Sequence, residues 1–198
     1  MTLPRRHFLA TAAALPVLAA CAEPPRPPEF PPISFAPRGT FRFEALRVEV
    51  AFEYQAPLAP PNVEHLFART PEATLRLWAA ERLAASGRGE RFVRFVVTDA
   101  RVTETDLPRT QGIRGAFTTE PAQRYDARIE CAVELRQQRG NFRDGIAAAA
   151  ATRQRSVLDN ISLNDRERVW YEMVRDMMTD IDAELQRQIE ASLTRFFA

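Results

Sequence analysis

Apolar and polar positions alternate through the middle of the chain, and this pattern predicts β-strands. The cleanest alternation covers residues 125–135, where every second side chain is apolar and most of the others are charged. It predicts a strand with one buried and one solvated face. Cys131 falls on the buried side, so we expect an inert, buried thiol. The stretch from Phe92 to Val102 is apolar on both faces, which predicts a central strand.

Two further stretches predict strands less directly. Residues 41–54 alternate twice, with a change of phase between Ala45 and Leu46. A β-bulge at this point would keep both halves facing one core. Residues 146–157 are rich in alanine, which favours a helix, but they lie between two turn-forming sequences and carry alternating arginines. We predict a strand here, with small side chains that let a helix lie close to the sheet.

Two segments have the periodicity of amphipathic helices. Thr70 is a predicted N-cap with Pro71 at the first helical position, and the apolar stripe that follows stops near Gly87, a natural C-terminal glycine. Near the C-terminus, residues 164–167 resemble a capping box. An apolar stripe then runs from residue 170 to 196, so the helix predicted from the capping box onward has about 33 residues and a length of roughly 50 Å.

The order of elements is therefore β-α-β-β-β-α, with a long loop at residues 106–121 between the second and third strands. Each helix has one apolar face, and the sheet needs one face covered. A two-layer α+β sandwich meets both needs, with the two helices on one face of a mostly antiparallel four-stranded sheet. We predict one such domain over residues 40–198.

The N-terminus has the organisation of an export signal. Arg5 and Arg6 precede an apolar run over residues 8–20, which is too short to span a bilayer and predicts a cleaved signal peptide over residues 1–20. The tetrad Leu18-Ala19-Ala20-Cys21 resembles a bacterial lipobox. That resemblance implies cleavage after Ala20 and acylation of Cys21, giving palmitate-type lipid chains and a protein anchored on the periplasmic face of the envelope.

The same stretch resembles a second signal. Arg5, Arg6, Phe8 and Leu9 match the R-R-x-F-L pattern of twin-arginine export signals. General secretion is the alternative route. The residue after the lipidated cysteine is Ala22, not the aspartate that marks inner-membrane retention in enteric lipoproteins, so the lipoprotein resemblance implies the outer membrane over the inner.

The signal is followed by a proline-rich segment. Seven of the 18 residues at 22–39 are proline, which favours an extended polyproline II conformation. We predict that residues 21–39 form a lipidated tether able to reach roughly 55 Å. A docking motif for a proline-binding partner is the alternative.

Composition narrows the chemistry of the domain. All 27 basic side chains are arginines, which excludes Schiff-base and lysine-base catalysis, and the mature chain is nearly neutral, which argues against a nucleic-acid partner. His65 would be the only histidine left after cleavage, and no metal-ligand cluster or nucleophile elbow is present in the sequence. Asp99 lies in an apolar strand; we expect it to pair with an arginine at a bulge or strand end, a buried acid of raised pKa being the alternative. We predict no catalytic residue, no cofactor and no metal site.

One loop is a candidate contact site. Arg109 and Arg114 lie beside Ile113 and Phe117 in the predicted long loop. Arginines next to exposed apolar groups suit an anionic lipid headgroup or a protein partner, whereas a simple solvated loop is the alternative.

The lipobox and the β-α-β-β-β-α pattern together resemble the lipoproteins of outer-membrane assembly and lipid transport, of the LptE-like and PqiC-like kinds. This resemblance implies a non-catalytic accessory subunit in envelope biogenesis or lipid or lipopolysaccharide transport, with a lipid or an envelope protein as partner. Two alternatives stay open: a structural envelope protein that docks a secretion or flagellar assembly, and a hydrolase with an unrecognised carboxylate site.

Overall fold

The computed structural model describes residues 29–108, 121–158 and 160–198. Its two helices are α1 (Pro71–Arg82) and α2 (Leu163–Ser192). Its strands are β1 (Phe41–Phe43), β2 (Val48–Phe52), β3 (Leu83–Ala85), β4 (Arg91–Asp99), β5 (Val102–Asp106), β6 (Pro121–Gln137) and β7 (Arg143–Leu158).

The long strand β6 is the centre of the main sheet. One of its edges pairs antiparallel with β4 and, further along, with β5, and the other edge pairs antiparallel with β7 along its whole length. β2 lies outside β4 and runs parallel to it. The predicted α+β class with two helices is confirmed. The predicted four-stranded sheet is wrong in detail, because the sheet has five strands and a separate parallel pair, β1–β3, lies beside it.

The first predicted strand is two strands in different sheets. A bulge between Ala45 and Leu46 would have kept the chain in one sheet, but pairing stops after Phe43 and resumes at Val48. The backbone amide of Glu44 donates to the carbonyl of Phe196, whereas that of Leu46 donates to the carbonyl of Arg91 in the main sheet. The change of phase in the sequence therefore marks the transfer of the chain from one sheet to the other.

The end of α1 and the end of β4 also differ from the prediction. α1 begins as predicted, with the Thr70 hydroxyl accepting from the Ala73 amide at 3.1 Å, but it ends at Arg82 and not near Gly87. The buried residue Leu83 pairs with Phe41, and this pairing with β1 makes the chain extended immediately after the helix. The predicted strand from Phe92 to Val102 is interrupted after Asp99, and β5 continues along the same edge of β6.

The N-cap of α2 is Ser162, two residues before the predicted capping box. Its hydroxyl accepts from the Asp165 amide at 3.1 Å. Serine is among the preferred N-cap residues, and the helix consequently begins at Leu163.

α2 runs antiparallel to β7 and covers it. The predicted strand over residues 146–157 is confirmed, and Ala147, Ala149 and Ala151 are buried on the side that faces the helix. Near the C-terminal end of β7, Arg155 Nη2 lies 3.5 Å from Asp176 Oδ2 of α2. Near the N-terminal end of β7, the Ser192 hydroxyl donates to the carbonyl of Ile146 at 3.0 Å. The start of α2 thus lies near the end of β7, and the end of α2 lies near the β6–β7 hairpin.

The small residues of β7 give a test of this packing. Ala147 is buried beneath α2 and Ala148 is exposed on the opposite face of the same strand. We expect Ala147→Leu to lower the free energy of unfolding by about 1–3 kcal/mol, because the added atoms must displace the helix. Ala148→Leu is the matched control and is expected to change it by less than about 0.5 kcal/mol. Urea denaturation measures both, and equal effects would contradict the packing.

Candidate functional site

Residues 30–39, at the end of the proline-rich segment, lie against both helices. The ring of Phe30 stacks on that of Tyr171 in α2, with centroids 4.6 Å apart and an interplanar angle of 9°. The Tyr171 hydroxyl donates to the carbonyl of Pro31 at 2.8 Å, and Phe35 is buried. The packed part of the chain therefore starts before the predicted boundary at residue 40. We call residues 30–39 the docked segment.

A carboxylate of α1 holds the middle of the docked segment. The side chain of Glu81 accepts hydrogen bonds from the backbone amides of Phe35 and Ala36, the second at 3.0 Å, and from the Ser34 hydroxyl at 3.2 Å. Hydrogen bonds to an ionised acceptor are roughly twice as strong as neutral ones. Glu81 therefore fixes two backbone amides that have no partner in a strand or helix.

A buried ion pair holds the end of the docked segment. Arg82 of α1 and Asp182 of α2 are each only 1% exposed, and the Arg82 Nε donates to Asp182 Oδ1 at 2.9 Å. Trp78 Nε1 donates to the same oxygen at 2.8 Å, and Arg38 Nη1 lies 3.1 Å from Oδ2. The Arg82 guanidinium also donates to the carbonyls of Arg38 and Gly39. One buried charge pair thus joins α1, α2 and the docked segment.

The docked segment runs parallel to α2. Pro31 meets α2 at Tyr171, whereas Arg38 meets it at Asp182, which is about 16 Å further along the helix axis. Followed backwards, from Arg38 to Phe30, the chain therefore leads toward the start of α2.

Sequence reasoning missed Glu81, Arg82 and Asp182, although a signal was present. Arg82 shares the apolar stripe of α1 with Leu75 and Trp78, and Asp182 lies in the apolar stripe of α2 beside Ile181. Arginine and aspartate are rarely fully buried unless they are paired. Two opposite charges, one in each apolar stripe, therefore indicate a partner across the helix–helix contact.

The predicted site residues lie outside the described residues. This holds for the signal and lipidation residues and for the candidate contact loop: Arg5, Arg6, Phe8, Leu9, Ala20, Cys21, Arg109, Ile113, Arg114 and Phe117. His65 is half-buried in a short 3₁₀ turn, Glu64–Leu66. Within residues 29–108, 121–158 and 160–198, no group of three or more histidine, cysteine, aspartate or glutamate side chains is placed to hold a metal ion.

The buried acids each have partners of their own. Asp99 lies at an irregularity in the β4–β6 pairing and forms an ion pair of 3.1 Å with Arg101, as expected. Glu64 accepts from the Val102 amide at 3.0 Å and from the Tyr54 hydroxyl. Burial and the adjacent Glu64 raise the pKa of Tyr54. Glu134 is ion-paired with three arginines, at 2.8 Å, 3.1 Å and 3.6 Å. These contacts are those of structural carboxylates held by separate groups.

Cys131 is a free thiol on the core face of β6. Burial raises its pKa to about 12, because the thiolate has no water to solvate it. The predicted structural thiol is confirmed.

The solved structures that are similar to this chain include several bacterial lipoproteins. The chain is similar to a minor lipoprotein from Acinetobacter baumannii, with 11% identity, a TM-score of 0.39, and coverage of 74% of this chain and 91% of that one. It is similar to a lipoprotein B from Nitrosomonas europaea, with 15% identity, a TM-score of 0.38, and coverage of 80% and 93%. It is also similar to the rare lipoprotein B from Shewanella oneidensis, with 12% identity, a TM-score of 0.31, and coverage of 73% of this chain and 92% of that one.

These TM-scores are all below 0.5, so no function is carried from these proteins to this chain. No protein-family model and no curated protein sequence matches it. Among the described helices, none is both long and apolar enough to cross a membrane.

The ion pair between Arg82 and Asp182 predicts a large asymmetry between two aspartates of α2. We expect Asp182→Ala to lower the free energy of unfolding by about 3–5 kcal/mol, because it leaves the Arg82 charge buried without a partner. Asp180→Ala breaks an exposed ion pair with Arg153 and is the control. We expect it to lower the free energy of unfolding by less than about 1 kcal/mol, measured by the same urea titration. Similar losses for both variants would show that the buried pair does not have this role.

The pKa of Cys131 predicts its reactivity. At pH 8 the native thiol is expected to resist a water-soluble disulfide reagent and to react at once when the protein is unfolded in urea. Absorbance of the released reagent measures the reaction. The test uses Cys21→Ser, whose only cysteine is Cys131, and rapid labelling of that native protein would mean that Cys131 is accessible.

Proposed function

We propose that this chain is a lipid-anchored lipoprotein of the bacterial cell envelope that acts as a non-catalytic accessory subunit in envelope biogenesis or in lipid or lipopolysaccharide transport. The observation that carries the proposal is the sequence Leu18-Ala19-Ala20-Cys21 placed only a few residues before the packed domain. Acyl chains on Cys21 would hold the protein at a membrane, since two or more chains give stable anchoring.

The docked segment sharpens the geometry of this anchor. Because the docked segment includes Phe30, at most residues 22–29 would separate Cys21 from the domain. Eight residues of extended polyproline II reach about 25 Å, roughly half of what the whole proline-rich segment would reach. In this proposal the domain is held close to the bilayer surface.

The finer parts of the proposal rest on the sequence. Export by the twin-arginine route is proposed from Arg5, Arg6, Phe8 and Leu9, and an outer-membrane location from Ala22. The loop that contains Arg109 and Phe117 is proposed as a contact for a lipid headgroup or a partner protein. The non-catalytic role is supported by the buried carboxylates, which are held by separate arginine and amide partners.

One observation favours the second candidate, a structural protein that docks a larger assembly through its sheet edge. Within the part of the chain that the structure describes, β7 pairs only with β6, so its outer edge offers a long unpaired backbone. Side chains of Arg153, Arg155 and Ser192 bond carbonyls of β7 near both ends. The centre, around Ala148–Ala150, is the part that a partner strand would use.

A pull-down of the anchored protein distinguishes the two candidates. Recovery of lipid, or of a transport or barrel protein, supports the accessory role. Recovery of a secretion or flagellar component that is lost when Ala150→Pro is introduced at the edge strand, in a variant shown to fold, supports the docking role, since the amide of Ala150 points to the outer edge like the carbonyls of Ile146, Thr152 and Gln154.

Cys21→Ser tests the anchor itself. We expect the wild-type protein to incorporate labelled palmitate and to sediment with membranes, and the variant to do neither, because serine at position 21 has no thiol to receive the diacylglycerol. Cys131→Ser is the control and is expected to behave as wild type, since Cys131 is buried in the core. Membrane association and labelling that survive in Cys21→Ser would refute the proposed anchor.

A further inference from the structure

Three leucines are exposed at one end of the domain. Leu163, the first residue of α2, is 79% exposed, Leu66 is 55% exposed and Leu158, the last residue of β7, is 38% exposed. We call these three residues the leucine end. Isolated exposed leucines are common, so their significance depends on whether they lie together and on what lies opposite them.

The local contacts place the three leucines at the same end. A turn connects Leu158 to α2, with the Ile161 amide donating to the Leu158 carbonyl at 3.3 Å. On the other side, Phe67, next to Leu66, stacks on Trp170 with centroids 4.5 Å apart. Trp170 lies two turns along α2 from Leu163, on the same face of the helix.

The docked segment leads toward this end. Its first ring contact is at Tyr171, which is about 12 Å along α2 from Leu163. Because the segment runs parallel to α2, its first residue, Phe30, lies on the side of the leucine end and Arg38 lies further from it. From Phe30 to Cys21 the chain spans nine residues, which extend to at most about 32 Å.

The opposite end is out of reach of this tether. It also exposes an apolar side chain, Phe142, which is 68% exposed in the β6–β7 hairpin. From Tyr171 to Ser192, where α2 meets Ile146, the helix extends about 32 Å. The strand from Ile146 to Phe142 adds about 13 Å. A lipid attached to Cys21 therefore lies near the leucine end and cannot lie near Phe142.

We propose that the leucine end faces the membrane that carries the lipidated Cys21 and that Leu66, Leu158 and Leu163 enter the boundary between headgroups and acyl chains. This inference rests on the proposed lipid anchor. The occupant is the bilayer surface, because the tether places the leucine end against it. The long axis of α2 then points away from the membrane, with the β6–β7 hairpin at the distal end.

The test uses the full lipidated protein in vesicles of phosphatidylethanolamine and phosphatidylglycerol. An environment-sensitive fluorophore is attached through Leu163→Cys at the leucine end or, as the matched control, through Phe142→Cys at the opposite end. Both sites are exposed, so neither variant is expected to disturb folding, and circular dichroism checks this. The buried Cys131 is replaced by serine in both, and flotation of the vesicles measures anchoring independently.

We expect the emission of the fluorophore at position 163 to shift to the blue in vesicles. When the lipids carry a nitroxide quencher, we expect this fluorophore to lose most of its fluorescence. At position 142 we expect neither change. Floating protein with no quenching at 163, or with equal quenching at 163 and 142, would overturn the proposed orientation while leaving the anchor intact. Protein that carries Cys21 and does not float would overturn the anchor, and with it the orientation.

Discussion

The buried ion pair between Arg82 and Asp182 joins the two helices to the docked segment at one place. A charge removed from water is costly unless it is paired and hydrogen-bonded, and here Asp182 receives Arg82 and Trp78 on one oxygen and faces Arg38 with the other. The Nη1 group of Arg82 donates to the carbonyls of Arg38 and Gly39, and its Nη2 group donates to Gln186 of α2 at 3.1 Å. Because these partners come from three segments, the pair has all of these contacts only when the three segments are in place.

The proline-rich sequence is consequently divided into two parts with different roles. Its last ten residues, 30–39, belong to the packed domain. The Pro31 carbonyl accepts from Tyr171 of α2, and the amides of Phe35 and Ala36, at the start of the 3₁₀ turn Ala36–Arg38, donate to Glu81 of α1. Only the residues before Phe30 are left for the proposed tether. A short tether limits both the distance of the domain from the membrane and its orientation. Because α2 packs antiparallel on β7, the orientation of α2 also sets that of the main sheet.

The periodicity of apolar residues predicted the strands and helices that bury one face and expose the other. The strand at residues 125–135, the strand at 146–157 and both helix stripes follow from the alternation or the helical repeat of apolar residues. It did not predict the transfer of the chain between sheets at residues 44–47, or the strand at Leu83, because these depend on pairing with distant residues. For the same reason the Arg82–Asp182 pair was missed: the partners lie on different helices, and only the unusual position of each charge in an apolar stripe pointed to it.

Hydrogen exchange at the amides of Phe35 and Ala36 tests most directly whether the docked segment is held as described. Both donate to the Glu81 carboxylate, and neither belongs to a strand or an α-helix, so their protection reports only on docking. We predict slow exchange in the wild-type protein and fast exchange in Asp182→Asn, while amides of β6 remain protected in both. Exchange at the rate of a free peptide in the wild-type protein would contradict the account.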